Sequence, residues 1–144
     1  MTCDFRIAAE GATLGVPEAN VGAFFTWGCT ARLARLIGAA KTKELIMTCD
    51  AISAKEAMTI GLVNKVVPAV DLMNSTYQLI NKIAGKGPLA IRMTKKIINA
   101  SMMTSFGDIF ICEPELVERV ALSGETTEGM KAFVEKRPPK FRKT

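Results

Sequence analysis

A chain of 144 residues with 49% apolar side chains is long enough to bury the core of one domain. Its apolar runs are short and broken by charge, well below the roughly 20 residues that a membrane-spanning helix requires, and no basic stretch leads into an apolar one after Met1, so a chain without signal peptide or membrane span is expected. The net charge of +5 lies entirely in the tail, because residues 1–130 hold 13 basic and 13 acidic side chains whereas residues 131–144 hold six basic and one acidic, so charge alone selects no polyanionic partner.

Residues 1–9 alternate, with Met1, Cys3, Phe5 and Ile7 on one side and Thr2, Asp4 and Arg6 on the other, which predicts a half-buried strand ending at Glu10-Gly11. Thr13-Leu14-Gly15-Val16 reads as a second short strand, closed by Pro17, which has no N–H to offer a ladder; Glu18 follows on a loop. Beyond the glycine- and aromatic-bearing stretch 22–28, Leu33, Leu36 and Ile37 fall at helical spacing and predict a helix over 29–37 with Gly38 as a left-handed C-cap. A second helix is expected from Lys41 to Cys49. Ser53-Ala54-Lys55-Glu56 forms a capping box that opens a third helix, ended by Gly61.

Leu62–Val67 is rich in β-branched residues and reads as extended, with Pro68 closing it. The pattern then becomes helical. Met73, Tyr77, Ile80 and Ala84 form one apolar stripe, and Leu89, Met93, Ile97 and Ala100 form another behind Gly87-Pro88, where proline suits a first helical turn. Further helices are expected over 113–123 and 127–136, before Pro138-Pro139. The chain thus divides into a mixed α/β part, 1–68, and an all-helical part, 69–144. Two or three short strands do not make a self-sufficient sheet, so their edges are expected to need partners from outside this chain.

The sequence holds no histidine, which removes Ser-His-Asp and Cys-His catalysis and the commonest transition-metal ligand together. Cys3, Cys29, Cys49 and Cys112 form no C-x-x-C pair, so no metal site or redox dithiol is expected and the thiols read as reduced and cytoplasmic. Acid–base work falls to carboxylates, Lys, Tyr or Cys. Taken alone, Glu18 reads as a solvated loop carboxylate rather than a catalytic one. Phe24, Phe25 and Trp27 read either as core or as walls of a pocket, Cys29 as an inert small residue at a helix start, and Phe133 and Lys136 as one flank of an amphipathic terminal helix.

Three colinear segments carry a resemblance. Cys3-Asp4-Phe5-Arg6-Ile7-Ala8 with Leu14-Gly15-Val16-Pro17-Glu18 is similar to the segment leading into the second acid–base glutamate of the crotonase (enoyl-CoA hydratase/isomerase) family. Ala51-Ile52-Ser53-Ala54-Lys55-Glu56-Ala57 with Gly61-Leu62-Val63-Asn64-Lys65-Val66-Val67-Pro68 resembles that family's I-S-A-x-E-A…G-L-V-x-x-V-V-P signature. Glu128-Gly129-Met130, Ala132-Phe133 and Glu135-Lys136-Arg137 resemble its C-terminal one.

The resemblance implies a fragment of a strand–strand–helix spiral over 1–68, followed by a helical trimerisation region over 69–144. It implies an acyl thioester of coenzyme A as substrate with no permanently bound cofactor, a homo-trimer or hexamer, and a place in fatty-acid metabolism. Proton removal beside a thioester carbonyl builds charge on its oxygen and needs preorganised N–H donors with a carboxylate at the carbon. Glu18 would be that carboxylate. Phe24, Phe25, Thr26 and Trp27 would shape the acyl pocket, and Phe133 and Lys136 would contact coenzyme A.

In the family the companion glutamate and oxyanion-hole segments lie upstream of the position matched by Met1, so this chain is expected to be the C-terminal portion and inactive alone. Family members often carry G-x-x-P-G-x-G-G-T-x-R-L after the glutamate. Here Gly22, Gly28, Thr30, Arg32 and Leu33 keep that frame, while Phe25, Thr26 and Cys29 replace the proline and two glycines. Two other readings compete: a non-catalytic CoA-binding or assembly module, and, ranked lower, RNA binding through the basic tail, whose aromatic interleaving is limited to Phe133 and Phe141.

Overall fold

The computed structural model describes residues 3–25 and 28–141. The chain packs as two units, one up to Thr76 and one from Tyr77.

The first unit is built on two strand pairs. Strand β1 (Ile7–Ala9) runs parallel to β4 (Lys65–Val67), with Ile7 opposite Lys65 and Ala9 opposite Val67. Strand β2 (Thr13–Leu14) pairs antiparallel with β3 (Ile52–Ser53). Arg6 and Asn64 extend the parallel pair: the Arg6 N–H donates to Asn64 Oδ1 at 2.8 Å, and the Asn64 N–H donates to the Arg6 carbonyl at 2.8 Å. The alternation at the N-terminus predicts a longer strand with Phe5 and Ile7 inward. Instead Ala8 is the buried residue of β1, Phe5 is exposed, and Met1 and Thr2 lie outside the described residues. A strand paired along one edge is turned by what packs on it, and here that is a small alanine against the core.

Three helices close this unit: α1 (Cys29–Ile37), α2 (Ala39–Thr48) and α3 (Ala54–Thr59). Helix α1 has its expected bounds. Gly38 has φ 82° and ψ 154°, an extended conformation open to glycine rather than a left-handed cap, and it lets α2 begin at once, two residues before the expected start. The left-handed cap falls on Cys49, at the end of α2. The capping box at Ser53 is half made. Ser53 Oγ accepts from the Glu56 N–H at 3.1 Å, but the Glu56 carboxylate lies 2.9 Å from Lys41 Nζ, because an ammonium on the neighbouring helix is the stronger attractor.

Helix α3 ends as predicted at Gly61 (φ 77°) in a Schellman motif, with the Leu62 N–H donating to the Ala57 carbonyl at 2.8 Å and the Gly61 N–H to Met58 at 3.1 Å. Ala8, Val16, Leu33, Leu45, Ile52, Ala57, Leu62 and Val63 make the core, with Leu33 fully buried.

Helix α4 (Leu72–Ala84) follows Pro68, but its predicted stripe is not a buried one. Met73, Tyr77 and Ile80 are exposed, whereas Leu72, Leu79 and Ile83 are partly buried. An apolar stripe identifies a face that avoids water, not the partner that covers it.

In the second unit, α5 (Pro88–Ser101) packs on α6 (Phe106–Leu122), and α6 packs on α7 (Glu125–Val134). The Leu89, Met93, Ile97 and Ala100 stripe is the partly buried side of α5, as expected. Met93 and Ile97 line an apolar groove of about 380 Å³ with Leu116 and Val120 of α6. Helix α6 starts earlier than the expected 113, because Ser105 caps it: Ser105 Oγ accepts from the Asp108 N–H at 3.3 Å. Pro114 is therefore internal. It forgoes one hydrogen bond and does not stop the helix. Helix α7 spans Glu125–Val134 rather than 127–136.

Candidate active site

The chain leaves the core at Val16 and turns through a short 3-10 helix, Pro17–Val21, with Pro17 in its first turn. Glu18 therefore sits on a helical turn rather than on an open loop. Gly22 (φ 69°) ends the turn, and the Ala23 N–H donates to the Glu18 carbonyl at 3.0 Å, which ties the following segment to the glutamate's own backbone.

Of this 3-10 helix only Glu18 is drawn partly out of solvent, and its Oε2 is shielded from water without a hydrogen-bond partner among the described residues. A carboxylate oxygen shut away in this manner is costly, of order 1–3 kcal/mol or more, until a proton, a water or a ligand donor meets it.

The aromatics that follow divide. Phe24 is 73% exposed, while Phe25 packs against the core. Thr30 Oγ1 donates to the Phe25 carbonyl at 2.6 Å, and Gly28 (φ 71°) is the residue that precedes α1. Thr26 and Trp27 lie outside the described residues. Cys29 is the first residue of α1 and is partly buried. The described residues contain no group of acidic or sulfur ligands suited to a metal ion.

Phe133 and Lys136 belong to the second unit, at the end of α7. Phe133 is 82% exposed and Lys136 is exposed. The helix ends in a second Schellman motif, with the Arg137 N–H donating to the Ala132 carbonyl at 3.0 Å and the Lys136 N–H to Phe133 at 3.2 Å. Lys136 thus occupies, at φ 52°, the left-handed position usually held by glycine, at a cost of roughly 1–2 kcal/mol.

A clasp holds the turn. Arg137 grips Glu128 with two parallel hydrogen bonds of 2.7 and 3.1 Å and reaches Glu135 at 2.6 Å, while the Lys140 N–H donates to Glu128 at 2.6 Å. The Arg137 guanidinium, helped by the Lys140 N–H, holds the Glu128 carboxyl down at about 2. Glu128, Glu135 and Arg137 are present in the C-terminal signature, but their spacing did not reveal that they bond to one another across the turn.

The Enoyl-CoA hydratase/isomerase family pattern matches residues 1–144, the whole chain. The chain belongs to the enoyl-CoA hydratase/isomerase family. It is 40% identical over 141 residues to "Crotonyl-CoA hydratase" of Syntrophomonas wolfei, covering 98% of this chain and 54% of that protein. It is 39% identical over 137 residues to "Short-chain-enoyl-CoA hydratase" of Clostridium acetobutylicum, covering 95% and 52%. The crystal structure of an enoyl-CoA hydratase from Bacillus anthracis superposes with a TM-score of 0.93 at 41% identity, covering 96% of this chain and 54% of that one.

This enoyl-CoA hydratase/isomerase chain therefore spans about half the length of the relatives it matches. The mixed strand-and-helix part followed by helices is a portion of the crotonase fold of that structure.

Proposed function

We propose that this chain is the C-terminal part of a hydratase or isomerase acting on acyl thioesters of coenzyme A, and that Glu18 is its acid–base carboxylate. The observation that carries the reading is the Glu18 oxygen withdrawn from solvent with no described partner. A carboxylate in that state exchanges a proton with a water or with the carbon beside a thioester carbonyl, while N–H donors stabilise the enolate oxygen. In this reading the companion glutamate and the oxyanion donors come from the other half of a family-length protein, and the chain alone turns over little.

Phe24 and Phe25, with Thr26 and Trp27, bound the acyl group, and Phe133 and Lys136 meet the adenine and phosphates of coenzyme A. The enzyme works as a homo-trimer or hexamer in the cytoplasm, with no resident metal or cofactor. Among the described residues no helix is long and apolar enough to cross a membrane. The exposed Met73, Tyr77 and Ile80 of α4 favour, as a second reading, a module whose main role is assembly.

Hydration of crotonyl-CoA tests the first reading, measured on this chain fused to the N-terminal half of the Syntrophomonas relative and on its Glu18→Gln variant. A loss of about 10²–10⁴-fold is expected. Retention of most activity would remove Glu18 from the mechanism and leave the assembly reading.

A further inference from the structure

Lys136 has an unusual backbone for a residue with a side chain. It lies at φ 52° in the glycine position of the turn that ends α7, while Arg137 beside it is fixed by the two-pronged bond to Glu128 and by Glu135. A side chain in that conformation persists only where the surroundings over-determine it, and such positions cluster where geometry serves function. The clasp bears on Arg137 and, through the Lys140 N–H, on the chain beyond it, so Lys136 is held between α7 and a strapped-down tail. Among the described residues no acidic side chain pairs with the Lys136 ammonium, which stays exposed on the same terminus as Phe133.

We propose that Glu128 and Arg137 are positioning residues, which hold Lys136 in its left-handed turn so that its ammonium and the Phe133 ring present one preformed site for a nucleotide phosphate of coenzyme A. The inference rests on the coenzyme A contact proposed above for Phe133 and Lys136, and adds the device that aims it. Arg137 acts through its fork on Glu128, which a lysine with a single point charge does not reproduce.

The test is binding of free coenzyme A to the full 144-residue chain by calorimetry, in a double-mutant cycle. Lys136→Ala is expected to weaken binding by about 10-fold, as for a lost charge-assisted contact. Glu128→Gln and Arg137→Lys are each expected to weaken it by about 3- to 10-fold with the Lys136 charge intact, and to add nothing in the Lys136→Ala background. Lys136→Gly is expected to bind as weakly as Lys136→Ala while melting at a higher temperature than it, since glycine relieves the backbone strain.

Equal losses from Glu128→Gln in both backgrounds, or none in either, would overturn the positioning role and leave the Lys136 contact standing. Unchanged binding by Lys136→Ala, or no binding by the unmodified chain, would overturn the contact and the positioning role together. Arg137→Lys keeps the charge, so it covers the case in which Glu128→Gln does not fold.

Discussion

Gly87 and Glu125 are fitted to one another: a β-carbon at Gly87 would collide with Glu125 Oε2 and lie 3.1 Å from its Cδ. The reason is that Glu125, on α7, caps α5. Its carboxylate accepts from the Leu89 N–H at 2.8 Å and from the Ala90 N–H at 3.0 Å, and the side chain is buried at 9% exposure. Gly87 precedes Pro88 and has no side chain to cap the helix, so the acceptor is brought from another helix, and only a bare backbone leaves room for it.

Gly87→Ala is accordingly expected to destabilise the chain by about 1–3 kcal/mol through overpacking, and Glu125→Ala by about 1–3 kcal/mol through two unsatisfied N–H groups. In the Glu125→Ala background, Gly87→Ala loses its collision and is expected to cost little. Urea titration of the four chains measures this coupling, and strictly additive losses would show that the two positions do not meet.

The Glu128–Arg137 clasp makes stability depend on acidity in a defined window. The Glu128 carboxyl titrates at about 2 in the folded chain against an ordinary 4.5, because Arg137 and the Lys140 N–H favour its charged form. A depressed carboxylate contributes stability that is fully present above pH 4.5 and is lost as pH falls through 2. The gap in melting temperature between the unmodified chain and Glu128→Gln is expected to be constant from pH 7 to about 5 and to close towards pH 2. A gap that does not vary with pH would show that the clasp is not charged.

Cys49 ends α2 at φ 60°, a conformation that costs a β-carbon-bearing residue roughly 1–2 kcal/mol. Cys49→Gly removes that cost but adds backbone freedom to the unfolded chain, so a net stabilisation of about 0.5–1 kcal/mol is expected. Thermal melts under reducing conditions decide it. A destabilised variant would mean that the partly buried thiol packs for more than its backbone costs.

Much of the first unit was legible because its signals are local. The turn at Gly61 and the helix starting at Cys29 follow from glycine's access to positive φ and from apolar spacing, and both stand where expected. The face of β1 and the stripe on α4 were not legible, since which side of an element is buried depends on what lies beside it. The start of α6, expected at 113, lies at Phe106 because Ser105 caps the helix upstream, and Pro114 falls inside it. At the candidate site, the family resemblance nominated Glu18. The seclusion of one of its oxygens, and the division between an exposed Phe24 and a core-packed Phe25, required coordinates.

Family membership and the main helices were present in the order of residues, because spacing along a chain encodes periodicity and signature, and the resemblance named the carboxylate. The Glu125 cap on α5, the Arg6–Asn64 staple and the fork of Arg137 on Glu128 emerged only in three dimensions. Each joins groups whose partnership is set by distance through space, and hydrogen bonds act over about 3 Å whatever the separation in sequence.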